Sequence, residues 1–303
     1  MANLYTYKDK NIRRTWFLFF WFFVVVVALG WIFSEAYGTP DFLIFAVIFS
    51  IVYSFISYYS SAKIALSMAH AQEIQKSDNS QLWNVVENLT IAAGLPMPKL
   101  YITPERQINA FATGRDPQHA AVAVTQGALD QLDKTELQGV IAHELSLVGN
   151  RDILVSTVAA ILAGIIALLA DIFLRSVFFG FIGGRGRGGN GEAQEVFFLV
   201  AIALSILAPI GTVLIQLAIS RRREALADAS GVLLTRYPEG LISALQKIQA
   251  DDTPMASAKD STAHMWIDTP FKGNHVSWWH KMFMTHPPIA DRIAALQKME
   301  GAA

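Results

Sequence analysis

Residues 15–33 read TWFLFFWFFVVVVALGWIF, an uncharged stretch close to the ~20 residues a helix needs to cross a hydrocarbon core. Inside lipid such a segment has to satisfy its own backbone groups, so it folds as a helix. A second uncharged run, 42–59, follows SEAYGTPD, where Gly38 and Pro40 break the helix, and the two runs make a hairpin. Lys8, Lys10, Arg13 and Arg14 precede the first run and Lys63 follows the second, whereas the connecting turn carries only Glu35 and Asp41. The apolar runs lead to the expectation of a multi-pass protein of the plasma membrane, and this charge asymmetry places both ends of the hairpin, and with them both termini, in the cytoplasm. The first run exceeds the apolar core of a signal peptide and no clear A-x-A site follows it, so a retained anchor is expected.

Two further apolar runs, 153–174 and 196–219, flank the glycine-rich FIGGRGRGGNGEA. Asp171, Pro209 and Gln216 interrupt them, and Arg175, Arg185 and Arg187 sit where an ordinary hairpin would have its outer loop. Two crossings cancel, so the segments before and after this pair emerge on one side of the membrane. The expected division is therefore a membrane hairpin over 1–62, a first soluble piece over 63–152, a second membrane hairpin over 153–219 and a second soluble piece over 220–303. Each soluble piece is small, and the two are expected to pack as one domain to bury adequate apolar area.

Within 63–152 the sequence predicts a helix taking in HAQEIQ and QLWNVVENLTIAAG, a loop at Pro96 and Pro98, strands at KLYIT and AVAVT, and a third strand at INAFATG between them. A helix over about 130–150 leads into the third apolar run. Beyond the second hairpin, helices are expected over about 220–234, 238–249 and from about 288, with a loop rich in Asp, Ser and Pro before the last. The net charge is −1 with scattered Lys and Arg, which excludes the basic face of a nucleic-acid binder. Zero cysteines exclude disulfides, thiolate metal sites and thiol nucleophiles. Any metal has to be held by His and carboxylates.

His143 and Glu144 lie in VIAHELSLVGN, whose apolar residues Val140, Ile141, Leu145 and Val148 recur at helical spacing. In an HExxH helix, histidines at i and i+4 share a face and hold Zn²⁺ while the intervening Glu activates water. Here the i+4 position is Leu147, and the dipeptide taken alone is better explained as a capped or hydrogen-bonded core pair. RRREALADAS adds Glu224 and Asp228 at i and i+4 on another helix, the spacing at which one carboxylate binds a metal and the other orients a ligand histidine. A solvated charged helix is the plainer reading of that segment, and it suits Arg221, Arg222 and Arg223 as a juxtamembrane cluster.

INAFATG, AHELS leading into NRDILVS, RRREALADA and THPPIADRI, in this order and between two apolar pairs, resemble the HtpX-type membrane zinc metalloproteases, relatives of the CAAX prenyl proteases. The resemblance covers nearly the whole chain. It implies a mainly α membrane protein with helical transmembrane hairpins and a small α/β zincin-like (gluzincin) soluble domain. It also implies one zinc ion held by His143 and Glu224, with Leu147 where the family has its second histidine, Glu144 as general base and Asp228 as a partner of His143. The implied activity is proteolytic quality control at the cytoplasmic face, with unfolded or misassembled membrane proteins as substrates and the bilayer as surroundings. INAFATG resembles the edge strand along which a peptide adds by main-chain hydrogen bonds, so Asn109, Ala110 and Phe111 are substrate-side candidates, although an ordinary core strand fits the local sequence as well. His286 in THPP and Arg292 in the last helix complete the candidate set.

Leucine has no electron pair to give. Structural zinc sites are worth about 10–16 kcal/mol over four ligands, so one lost ligand costs on the order of 3 kcal/mol, or about two decades in affinity. His70, His119, His264, His275, His280 and His286 are the remaining histidines, with His286 and His280 the best placed to substitute. Two functions stand side by side: a zinc endopeptidase impaired by Leu147, and a non-catalytic relative serving as a binding or regulatory membrane protein. A transporter explains the apolar runs but not the His-Glu and Glu-Asp pairs.

Overall fold

A computed structural model describes residues 4–183, 221–259, 261–272 and 287–300. Helix α1 (Leu4–Tyr37) and helix α2 (Asp41–Tyr59) form the expected hairpin, turning through Gly38 at φ +66. Gly30 lets them touch, since a Cβ there would sit 2.3 Å from Ala46 Cβ. Three described helices are long and apolar enough to cross a membrane, at Lys10–Glu35, Asp41–Tyr59 and Asp152–Leu169. The last belongs to α7 (Asp152–Gly183), whose Leu154, Val158 and Leu162 pack with Leu18, Phe22 and Leu29 of α1. The apolar run 196–219 lies outside the described residues, as does the glycine-rich segment after its first three residues, which form the end of α7.

After α3 (Ser61–Met68) the chain leaves helix geometry, with His70 at φ +51. HAQEIQ is therefore not helical, contrary to the sequence expectation. Gln72–Glu73 forms β1 and pairs antiparallel with Tyr101 and Ile102. Helix α4 (Ser80–Ala93) is capped by Asn79, whose side chain accepts from Leu82 N–H, and ends at Gly94 in the left-handed region. Strands β2 (Lys99–Thr103), β3 (Ala110–Gly114) and β4 (Ala120–Thr125) complete a sheet of order β1-β2-β4-β3. The β2–β4 pair is parallel and β3–β4 antiparallel, which leaves β3 at an edge.

Strand β4 is buried on both faces, so it reads as an unbroken apolar run rather than an alternation. Val122 and Val124 join the main core under α4 and α6, while Ala121 and Ala123 face α3 and α7. A short helix α5 (Gln126–Gln131) precedes α6 (Lys134–Gly149), so the expected helix over 130–150 is split at Leu132 and Asp133. Asp133 and Glu136 form a reciprocal capping box that starts α6. Helices α8 (Arg221–Thr235), α9 (Pro238–Ala250) and α10 (Ile289–Glu300) follow at the expected places. Helix α8 packs against α6, so by residue 221 the chain has returned to the end of α7 from which it left.

Candidate active site

Helix α6 presents His143 and Glu144, 1% and 0% exposed, toward α8 and the edge of β3. Gly231 allows this approach, because a Cβ there would lie 3.0 Å from His143 N and 3.2 Å from Ala142 C. His143 Nδ1 stands 2.8 Å from Asp228 Oδ1. Arg292 grips the same carboxylate from α10, Nε donating to Oδ2 at 2.9 Å and Nη2 to Oδ1 at 2.7 Å. Burial alone would raise the Asp228 pKa, but Arg292 and His143 hold it well below the ordinary carboxylate range. An ionised Asp228 only accepts, so Nδ1 of His143 carries the proton and Nε2 is turned the other way. There it meets Glu224, with Oε2 at 3.6 Å.

Glu144 sits in a different environment. Among the described residues neither of its oxygens has a well-formed hydrogen bond, and the Ala112 N–H gives only slight support to its charge. Burial pushes the carboxyl up to about 7, His143 opposes the shift and Glu224 adds to it. Beside it is a cavity of about 20 Å³, room for about one water, lined among others by His143, Glu224, Leu147 and His264. Leu147 packs half-buried against the main core and turns its side chain to this cavity.

Asn109, Ala110 and Phe111 open the edge strand beneath residues 263–269. Asn109 donates to Gln107 Oε1 and to the Asp268 carbonyl, both at 2.9 Å. Ile267 N–H bonds the Ala110 carbonyl at 2.9 Å, and the Phe111 and Trp266 rings meet edge-on at 4.6 Å. One rung of the β3 edge is thus filled by the chain itself. His264, from the turn at Ala263–Met265, lines the cavity with Nε2 3.0 Å from the Ser156 carbonyl. The sequence reading held His264 only as a spare histidine, although the apolar Met265, Trp266 and Ile267 within a polar loop mark a segment that is buried somewhere. His70 and His119 lie elsewhere, and His275, His280 and His286 fall outside the described residues.

Arg223 is not part of a solvated arginine cluster. It is 6% exposed and pairs with Asp152 at 3.1 Å, and Asp152 also accepts from Asn11 Nδ2 at 2.7 Å. Helices α1, α7 and α8 meet at this carboxylate, which borders the cavity. Thr113 and Thr157, 2.9 Å apart, tie β3 to α7 just beyond.

A hairpin of two helices long and apolar enough to cross a membrane thus accompanies a small mixed sheet and a His-Glu helix packed against its edge strand. The profile of Peptidase family M48 matches residues 76–300. A "Protease HtpX homolog" of Caldanaerobacter subterraneus subsp. tengcongensis is 44% identical over 299 residues, covering 98% of each chain. One from Lactobacillus acidophilus is 43% identical over 305 residues, covering 98% of this chain and all of that one. The crystal structure of S. mikatae Ste24p shares the fold at TM-score 0.51 and 18% identity, covering 90% of this chain and 62% of that longer one. The chain belongs to peptidase family M48, as an HtpX-type membrane protease.

That family implies a metal, and the donors here fall short of one. His143 Nε2 and Glu224 face each other, Leu147 lines the same cavity with an apolar side chain, and among the described residues no three His, Asp or Glu side chains are grouped to hold an ion. A closed tetrahedral site needs more than two protein donors. The described residues do not fit a fully held zinc ion.

Proposed function

We propose that this chain is a zinc endopeptidase of the HtpX type whose turnover is sharply reduced by Leu147. The observation that carries the reading is the intact surround of an incomplete donor set. His143 is oriented by Asp228 and Arg292, Glu144 is buried without a firm partner among the described residues, and Glu224 stands opposite, while the i+4 side chain is apolar. Each residue keeps a role that needs no further group. Asp228 and Arg292 fix the ring of His143, and a Glu144 carboxyl poised near neutrality takes or returns a proton at its own oxygen. The β3 edge offers main-chain groups to an extended peptide, which competes with Ile267 for the Ala110 carbonyl.

Unfolded or misassembled membrane proteins at the cytoplasmic face are the proposed substrates, because the site lies beside helices that enter the bilayer. The proposed division at residues 62, 152 and 219 puts the site in a single soluble domain built from both soluble pieces. The competing reading, a binding or regulatory relative without turnover, is favoured by the same Leu147.

Degradation of an unfolded protein by the detergent-purified chain with added zinc, run beside Glu144→Gln and Leu147→His, separates the readings. The impaired enzyme cuts slowly, loses that activity in Glu144→Gln and gains about a hundredfold in Leu147→His, in line with one restored ligand of about 3 kcal/mol. No cleavage by the wild type, with cleavage by Leu147→His, makes the natural chain the non-catalytic relative. Rapid wild-type turnover with a full complement of zinc overturns the impairment.

A further inference from the structure

A cavity of about 650 Å³, separate from the peptidase site, lies where α2 leaves the membrane. It is bounded by the end of α2, by α3 and by the ends of β2 and β4, and three cations border it: Lys63, Lys99 and Arg115. Lys99 is paired with Glu73 at 3.0 Å, whereas Lys63 is exposed and has no ion-pair partner among the described residues. Arg115 is held in place from two sides. Its guanidinium carbon lies 5.3 Å from the centroid of the Tyr59 ring, and Nη1 donates to the Tyr59 carbonyl at 3.4 Å. Nη2 donates to His119 Nε2 at 2.7 Å, which leaves His119 Nδ1–H to donate to Asp116 Oδ1 at 2.7 Å. Asp116 itself stands 3.5 Å from Arg115 Nε.

Tyr59 is the last residue of the span and 62% exposed. Ile48, Val52 and Phe55 are exposed along the same helix and lead toward it, an apolar surface that belongs against acyl chains. Leu66 and Met97 add apolar lining to the cavity, and around it Lys63, Lys99 and Arg115 stand against Glu73 and Asp116, an excess of one positive charge among the described residues, carried by Lys63. A ligand that fits needs a negative headgroup at the membrane surface and hydrocarbon running along α2. We propose that this cavity binds the headgroup phosphate of an anionic phospholipid from the leaflet at which α2 ends, with Lys63 and Arg115 as its main contacts and the acyl chains lying on the exposed face of α2.

Free phosphate offers the same charge without the hydrocarbon, and a zwitterionic lipid offers the hydrocarbon without net charge. The test is native mass spectrometry of the full chain released from bilayers of phosphatidylcholine containing phosphatidylglycerol, counting each lipid retained. The wild type is expected to retain phosphatidylglycerol over phosphatidylcholine. Lys63→Glu and Arg115→Gln should each lower that preference about fivefold or more, the effect of one surface cation on an anionic lipid. Lys63 is exposed and has no ion-pair partner among the described residues, so its variant keeps the fold even if Arg115→Gln does not. Lys76→Glu, at a cation paired with Glu87 away from the cavity, should leave the preference unchanged, and millimolar inorganic phosphate should not displace the lipid. Equal retention of both lipids by the wild type, no effect of Lys63→Glu, an equal loss in Lys76→Glu, or displacement by phosphate alone each overturns the proposal.

Discussion

Asp228 accepts from both Arg292 and His143, and these contacts decide which nitrogen of His143 faces the cavity. Arg292 delivers two parallel bonds from one rigid fork, a geometry that a lysine ammonium cannot reproduce. In a Leu147→His background, where activity is large enough to dissect, Arg292→Lys is expected to lower zinc affinity and proteolysis by about 10–100-fold, as loss of such outer support does elsewhere. Metal content per chain and cleavage rate are the two measurements, and parity with the Leu147→His parent would remove Arg292 from the positioning role. The spacing of Glu224 and Asp228 made this part of the site legible in the sequence, because four residues on a helix is one face. The burial of Arg223 was not legible. Three consecutive arginines look like a solvated cluster, and only the long-range meeting with Asp152 and Asn11 takes one of them inside.

At the scale of elements, α6 is held by contacts along its whole length. Gly139 lets α9 come so close that a Cβ would fall 2.6 Å from Leu241 N. Gly139→Ala is therefore expected to destabilise the soluble domain by about 1–3 kcal/mol, the usual cost of overpacking, read as a lower midpoint of thermal unfolding in detergent. Glu136 binds α6 to α9 through Ser243 Oγ at 2.6 Å and Lys247 Nζ at 2.7 Å. Burial acts to raise its pKa, but Lys247, Ser243 and the Asp133 N–H together hold it below the ordinary 4.5. A depressed carboxylate stabilises the fold fully above 4.5, and that stabilisation is lost as pH falls through the lowered value. Thermal midpoints across acid pH should show this decline in the wild type and a flatter one in Glu136→Gln. Helices and long strands were legible from their periodicity. The two-residue β1 was not, since two residues define no period, and the course of 263–269 over β3 depends on partners far away in sequence.

For the whole molecule, the charge pattern around the first hairpin predicts that the α1–α2 turn faces outward and the soluble domain faces the cytoplasm. The chain has no cysteine, so single cysteines can be introduced without a background. In intact cells a membrane-impermeant maleimide should label Thr39→Cys and leave Ser77→Cys untouched until the membrane is opened. The reverse pattern would invert the topology and place the peptidase site outside.

His143 lies before α7 and its partners Asp228 and Arg292 lie after it, so the site is assembled from chain made at different times. A nascent polypeptide that has reached only α7 carries His143 and Glu144 with neither partner present. At roughly 5–20 residues per second, synthesis takes several seconds or more to pass from position 143 to position 292. The contacts of His143 with Asp228 and Arg292 are therefore completed only late in synthesis, after α7 has been made.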